Sequence, residues 1–213
     1  MPESVKTSRG RTRREIAAEA TQTQIVETAA RLFMGQGYVA TTIGSIAEEA
    51  GVAVQTVYNS VGSKAEVLSA VLDRIAAGPE APTPVPEFMR ARSDRARDAD
   101  AVVGLLADWF AEVQPRLAPL WDVIAAAAGA DPDVARLRRD RDAQRLRNYE
   151  LAARLLAAKP GAAHTLSVRE AAAVIWSLGH PSVYQQLVGR QGWSVSRYRR
   201  WLRQSLRAVL VGA

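Results

Sequence analysis

The stretch IAEEAGVAVQTVY, residues 46–58, constrains the fold of this chain more than any other part of the sequence. It places Gly51 between two apolar-periodic segments, each too short to be stable alone, because isolated helices under about 12 residues are marginal in water. The two segments must therefore stabilise each other by packing, and Gly51 lies where the turn needs a backbone without a Cβ atom. This spacing is typical of a helix-turn-helix, whose second helix enters the DNA major groove. An ordinary helical hairpin has the same spacing and remains the alternative.

Helix start signals flank this stretch on both sides. Thr42 can cap the first short helix, predicted over 43–50, and the second is predicted from about 53 to 59. Ser63 and Glu66 form a capping box, in which each side chain accepts a hydrogen bond from the backbone N–H of the other. A longer helix is therefore expected directly after the two short ones.

Charge and proline content divide the chain into four parts. Residues 1–20 are predicted to form a basic, flexible N-terminal arm, and residues 21–77 the helix-turn-helix domain. The proline-rich stretch GPEAPTPVPE, residues 78–87, is predicted to be a linker. Residues 88–213 form the remaining helical body.

The body is predicted to be helical throughout, because its apolar residues recur at three- and four-residue steps and alternate nowhere with a period of two. Five or six longer helices are expected. One covers 100–113, and a separate one follows Pro119. Asp131 caps the longest helix, which has Pro132 at its first position.

The composition limits the chemistry available to the chain. There is no cysteine, which excludes disulfides and thiolate metal sites, and His164 and His180 are the two histidines. The sequence has no Ser/His/Asp or Cys/His set, no metal-ligand spacing and no phosphate-binding glycine loop. We therefore expect no enzymatic activity, no metal and no cofactor.

The charge balance bears on partners and location. The formal net charge is +6 and the sequence pI about 10.1, values that suit an anionic partner. No uninterrupted apolar run reaches the ~20 residues of a membrane span. The first 20 residues are basic and polar, without the apolar core of a signal peptide. A cytoplasmic protein with no membrane association is expected.

Residues 22–72 resemble the DNA-binding domain of the TetR family of bacterial repressors, a resemblance that covers about a quarter of the chain. The matching residues are Phe33, Gly37, Tyr38, Thr41, Thr42, Ile46, Ala47, Ala50, Gly51, Val52, Tyr58, Gly62, Ser63 and Lys64. The resemblance implies an all-α fold, with an N-terminal three-helix helix-turn-helix DNA-binding domain plus a larger helical ligand-binding and dimerisation domain.

The resemblance assigns a role to each exposed residue of the motif. Thr42, Tyr58 and Lys64 are expected to contact phosphates, which positions the protein without reading sequence. Gln55 can bond adenine bidentately, and Thr56 can bond a base edge or meet a thymine methyl.

The other DNA-binding candidates carry weaker signals. Ala53 and Val54 offer only apolar contact, and Asn59 lies where phosphate and base are equally expected. Three departures from the family pattern put the pose of the second helix in doubt: Ala53 in place of a hydroxyl residue, the residues NSV directly after Tyr58, and the small Val61. The basic arm either enters the minor groove or adds nonspecific attraction. Its candidates are Arg11, Arg13 and Arg14.

By the same resemblance, two late helices are expected to form a four-helix dimer interface. Their apolar stripes suit an interface core with a charged rim. A helix that packs on its own subunit is the alternative. The candidate interface residues are Ala172, Ile175, Tyr198, Leu202, Leu206 and Val209.

Large aromatic residues among many alanines in the body suggest an apolar ligand cavity. Aromatic residues at helical spacing are equally typical of a core, and His180 either bonds a ligand or caps the helix that Pro181 begins. The candidate ligand-binding residues are Trp109, Phe110, Trp121, Tyr149, Trp176 and His180. Because charged residues are sparse on these stripes, an uncharged or weakly polar, hydrophobic or aromatic effector is expected.

Together these features predict a transcriptional regulator. We expect a ligand-responsive repressor that binds a palindromic operator as a homodimer and is released by a small hydrophobic or aromatic effector. Two alternatives share the same sequence features: a transcriptional activator of the same fold, and a helical interaction protein with weakened DNA binding.

Overall fold

The structure, a computed structural model, describes residues 12–78 and 85–212. These residues form helices, and the predicted all-α class is confirmed. The α-helices of the described part are α1 (Arg13–Ala40), α2 (Ile43–Glu49), α3 (Val54–Ser60), α4 (Lys64–Ala77), α5 (Val85–Arg95), α6 (Ala99–Ala127), α7 (Pro132–Ala157), α8 (Val168–Leu178), α9 (Pro181–Tyr184) and α10 (Val195–Leu210). A π-helical turn, Gln185–Arg190, joins α9 to α10. Among the helices of the described ranges, none has the length and apolarity that crossing a membrane requires.

The chain divides into two compact units between Val71 and Leu72, so that α4 contributes to both. The core of the first unit comes from α1, α2, α3 and the first half of α4. Its fully buried apolar residues are Ile25, Ala29, Phe33, Ile46, Val57, Val67, Leu68 and Val71. Each lies on the inward stripe of its own helix, so packing supplies the stability that the short α2 and α3 lack.

The basic arm is shorter than predicted. Thr12 and Glu15 form a capping box, in which the Thr12 N–H donates to Glu15 Oε2 at 2.7 Å and the Glu15 N–H to Thr12 Oγ1 at 3.3 Å. The helix therefore begins at Arg13, and residues 13–20 are helical and exposed rather than part of a flexible arm. Arg11 lies outside the described residues.

Two further boundaries differ from the prediction. Helix α5 begins at Val85, so residues 85–87 of the predicted linker are helical, while 79–84 lie outside the described residues. Helix α6 continues through Pro115 and Pro119, although separate helices were predicted there. The two prolines are one turn apart and lie on the same face of α6. Buried apolar residues continue along the opposite face. Their packing stabilises the helix although each proline lacks a backbone N–H.

The core of the second unit is formed mainly by α6, α8 and α10. Val103, Leu106 and Phe110 of α6 pack in it together with residues of the other two helices. The predicted interface stripe belongs to this core: Ala172, Ile175, Tyr198, Leu202 and Leu206 are fully buried within the subunit.

The assignment of this stripe to a dimer interface was therefore wrong. A side chain already surrounded by its own subunit has no surface to offer a partner, and only Val209 of the set is exposed. The arginines beside the stripe have intramolecular partners: Arg199 pairs with Asp108, and Arg203 and Arg207 both pair with Asp100. They attach α10 to α6.

Gly179, which follows α8, lies against the ring of Phe110. A Cβ atom at Gly179 would lie 2.1 Å from Cζ of that ring, and the ring is itself buried. The position therefore requires a residue without a side chain, although its backbone dihedral is ordinary.

We predict that Gly179→Ala lowers the free energy of unfolding by about 1–3 kcal/mol, the usual cost of overpacking a core. Urea denaturation followed by circular dichroism measures this. Gly104→Ala is the matched control, because a Cβ there meets only Arg203 at 3.9 Å and alanine favours the helix. Equal stability of the two variants would contradict the steric role of Gly179.

Candidate nucleic-acid interface and ligand cavity

The turn between α2 and α3 has the geometry that the sequence indicates. Gly51 has φ +65°, a left-handed conformation that favours glycine. Its N–H donates to Glu48 O at 3.1 Å, and the Val52 N–H donates to Ala47 O at 2.9 Å. These bonds close the end of α2 and direct the chain into α3.

Thr42 caps the start of α2, as predicted. The Ser45 N–H donates to Thr42 Oγ1 and the Thr42 N–H donates to Ser45 Oγ, each at 3.0 Å. The reciprocal pair satisfies two backbone donors that a helix start leaves free. Thr42 itself is exposed, at a position where a phosphate could reach it.

Helix α3 separates a buried face from an open one. Val57 is fully buried, whereas Val54 and Tyr58 are 46% and 50% exposed. Gln55 and Asn59 share the open face, and Gln55 Nε2 donates to Asn59 Oδ1 at 2.9 Å. The helix thus presents two amides and a phenol to solvent, groups that can bond base edges and phosphates.

Other candidates are less open. Thr56 is half-buried, Ala53 is exposed, and Arg13 and Arg14 are exposed on the first turn of α1. Lys64 is half-buried at the start of α4.

Aromatic packing positions Lys64. Its Nζ lies 4.0 Å from the centroid of the Tyr38 ring, which stacks on Phe33 at 5.5 Å. The same Nζ also donates to Val39 O at 3.5 Å. The ammonium is therefore held at the surface by a ring that is buried beneath it.

Two glutamines of α1, which the sequence analysis did not single out, support α2 and α3. Gln24 Nε2 donates to Ala50 O at 2.9 Å, and Gln22 Nε2 donates to Ser60 O at 3.2 Å. Each bond satisfies a carbonyl at the end of a short helix. No local sequence pattern identifies such contacts, because the partners are 26 and 38 residues apart.

The start of α3 lacks the support that α2 has. Ala53 is the N-cap residue and has no side-chain acceptor for a backbone N–H. We predict that Ala53→Ser stabilises α3 by about 0.5–1 kcal/mol, because a serine hydroxyl would accept a bond from the first turn. Slower hydrogen exchange of the α3 amides measures the gain.

Ala53→Val is the matched control, since valine offers no hydroxyl and is as poor an N-cap as alanine. Equal exchange in the serine and valine variants would show that the missing cap costs α3 nothing.

The second unit encloses a cavity of about 490 Å³, a size typical of small-molecule sites. Its walls come from the last residues of α4 and from α5, α6 and α7. The aromatic residues in the walls are Trp109, Phe110, Trp121 and Tyr149, all four among the predicted ligand-binding residues. The other two predicted ligand-binding residues, Trp176 and His180, are not among the described residues that line the cavity.

The backbone of Gly179 holds two polar side chains that line the cavity. Its carbonyl oxygen accepts a hydrogen bond from Gln114 Nε2 at 2.7 Å and another from Arg145 Nη2 at 3.4 Å. Both donors are lining residues, and Gln114 is buried. The sequence analysis missed both, because a glutamine in an apolar helix and an arginine in a charged one carry no cavity signal.

His180 caps α9 rather than lining the cavity, which corrects its assignment as a ligand-binding residue. The Ser182 N–H donates to its Nδ1 at 3.1 Å. Its ring packs between Trp176 and Trp121, at centroid distances of 5.0 and 5.6 Å. Burial, and then the nearby charge of Arg145, lowers the pKa of His180 from 6.5 to about 4. His180 is therefore neutral at pH 7.

A pH dependence of stability follows from this pKa. Between about pH 6.5 and 4 the unfolded chain protonates this imidazole and the folded protein does not, so the free energy of unfolding falls as the pH falls. We predict that His180→Asn, which keeps a good N-cap acceptor, loses less stability than the wild type between pH 7 and pH 5. Urea denaturation at the two pH values measures the difference.

His164→Asn is the matched control, because His164 is exposed. It should retain the pH dependence of the wild type. If His180→Asn also retains that dependence, the folded protein does not hold His180 neutral.

The first unit of the chain matches a known protein family. Residues 25–71 match the family model described as bacterial regulatory proteins, tetR family. No curated protein matches the chain.

Solved structures share the fold along nearly the whole chain. NalD of Pseudomonas aeruginosa, described as the secondary repressor of the MexAB-OprM multidrug efflux pump, is 17% identical, with coverage of 91% of this chain and 98% of NalD and a TM-score of 0.70. The SmeT–triclosan complex is 19% identical, with coverage of 90% and 92% and a TM-score of 0.71. A Saccharomonospora viridis protein in complex with choline is 22% identical, with coverage of 92% and 100% and a TM-score of 0.64.

Proposed function

We propose that this chain, whose residues 25–71 match the family model described as bacterial regulatory proteins, tetR family, is a ligand-responsive transcriptional repressor. In this proposal it binds a palindromic operator as a homodimer and acts in the cytoplasm. The open face of α3, held on a buried base by α1 and α2, is the observation that carries the proposal.

The residues of this face divide between reading and positioning. Gln55 reads a base edge once its bond to Asn59 is exchanged for a bond to adenine, and Val54 meets a thymine methyl. Tyr58, Thr42 and Lys64 contact phosphates. Because phosphate contacts carry no sequence information, they set the register of α3 in the groove.

The helical surface that remains open supports dimerisation. A single short recognition helix covers too few base pairs, so helix-turn-helix proteins bind as dimers on half-sites about 34–36 Å apart. Helices α8 and α10 each have exposed uncharged residues away from the buried stripe, next to exposed arginines at the N-terminal side of each face. These uncharged residues are Ala173, Ser177, Gln204 and Ala208. Small side chains allow helices of two subunits to approach closely.

The cavity is the proposed effector site. Its aromatic and aliphatic lining suits an apolar molecule. Two proteins of the same fold support the proposal: NalD is described as a repressor, and SmeT was solved in complex with triclosan. Helix α4 begins at the phosphate candidate Lys64, and its last turns line the cavity.

An effector that binds better to the DNA-free state releases the operator. By reciprocity, operator DNA must weaken effector binding by the same factor.

Selection from random DNA duplexes tests the proposal. The protein should enrich an inverted repeat, and its affinity for the selected duplex should fall steeply with salt, because bound phosphates release counterions. Gln55→Ala should cost about 1–3 kcal/mol on the selected duplex and little on a scrambled one. Tyr58→Phe should weaken both duplexes alike.

Gln186→Ala, which changes an exposed glutamine of the π-helical turn outside the proposed contact surfaces, is the matched control and should bind DNA like the wild type. Failure to enrich any repeat, by a sample that circular dichroism shows to be folded, would reject DNA recognition. A folded protein that only interacts with other helical proteins would give that result.

A further inference from the structure

The cavity of the second unit contains an arginine whose charge is poorly compensated. The side chain of Arg145, on α7, is 16% exposed. Its Nη2 donates to Gly179 O at 3.4 Å, a long hydrogen bond. Its Nη1 lies 3.7 Å from Asp142 Oδ1 and makes no hydrogen bond to any described residue. Burial also raises the pKa of Asp142.

The other charges of the cavity are balanced or open to solvent. Arg141 forms a bidentate pair with Asp73, with both N···O distances 2.7 Å. The side chain of Arg90 is 65% exposed. Among the described residues that line the cavity, three are arginines and only Asp73 is acidic. The lining therefore carries excess positive charge, and Arg145 is its most enclosed part.

The aromatic rings near Arg145 already interact with a cation. Its guanidinium carbon lies 5.3 Å from the centroid of Trp121 and 5.9 Å from that of Tyr149. A quaternary ammonium ligand would need these ring faces for itself and would be repelled by the guanidinium. The same arrangement positions a planar donor toward an anion, since guanidinium N–H groups match the geometry of a carboxylate.

We propose that the effector is an apolar molecule that carries a carboxylate, which binds to Arg145 while the apolar part lies against Trp109, Phe110 and Leu106. The inference rests on the proposed ligand-sensing function and specifies its ligand class. It departs from the sequence-based expectation of an uncharged effector, because the arginine-rich sequence of α7 does not reveal which arginines face the cavity.

Calorimetric titration of the full chain with three ten-carbon probes tests the proposal. The probes are decanoate, decan-1-ol and decyltrimethylammonium, which share a chain and differ in the head group. Decanoate should bind at least about tenfold more tightly than either of the others, the usual advantage of a hydrogen bond to a charged partner.

Variants of α7 assign this preference to Arg145. In Arg145→Gln the affinities for decanoate and decanol should converge, whereas Arg145→Lys, which keeps the charge, should retain part of the difference. Arg147→Gln is the matched control, because Arg147 is exposed on the same helix. It should leave all three affinities unchanged. Circular dichroism verifies that each variant is folded.

A purely structural role for Arg145 gives a different result. In that case Arg145→Gln lowers thermal stability by loosening the contact with Gly179, but the preference for decanoate persists. That result would overturn the proposal. So would equal affinities for decanoate and decanol, tighter binding of the ammonium probe, or no binding of any probe to the folded wild type.

The titration uses no DNA, so its failure is distinguishable from failure of the proposed function. A preference for decanoate that depends on Arg145, in a protein that enriches no DNA repeat, would establish the ligand class and reject the repressor. An enriched operator without that preference would retain the repressor and reject the ligand class.

Discussion

The second unit depends on the hydrogen bonds that meet at the carbonyl group of Gly179. This oxygen joins Gln114 of α6 and Arg145 of α7 to the end of α8, and the ring of Phe110 packs against the α-carbon of the same glycine. The last carbonyls of a helix carry partial negative charge, which favours a guanidinium nearby. Because a backbone atom sets the geometry, the placement of a cation beside the ring of Trp121 depends on the close approach that only glycine permits.

In the first unit, the packing must hold two helices of seven residues each, α2 and α3, in fixed positions against one another. Ile46 and Val57 are fully buried, and such burial stabilises helices that are too short to form alone. Gln22 and Gln24 add directional bonds to the carbonyls at the two helix ends. The open face of α3 therefore takes no part in the packing that holds the two short helices together.

The sequence predicted correctly those features that residues close along the chain determine. It failed for features that depend on packing between distant parts of the chain. The Thr42 cap and the Gly51 turn were predicted because residues three or four positions away decide them. The stripe of Tyr198, Leu202 and Leu206 was assigned to the wrong neighbour, because periodicity shows which face of a helix is buried but not what buries it. The break expected at Pro119 failed for a related reason, since tertiary packing outweighs a local helix breaker.

In helix α7 the sequence pattern does not show which arginines are enclosed by the protein. Its sequence is rich in charged residues, and Arg138 and Arg139 are exposed, whereas Arg141 and Arg145 line the cavity. Enclosing a guanidinium costs free energy unless a counterion compensates it. Asp73 compensates Arg141 with two short bonds, whereas the Asp142 carboxyl lies 3.7 Å from Arg145 Nη1. An enclosed charge that destabilises the empty protein is typical of a binding site, because a bound group of opposite charge compensates it.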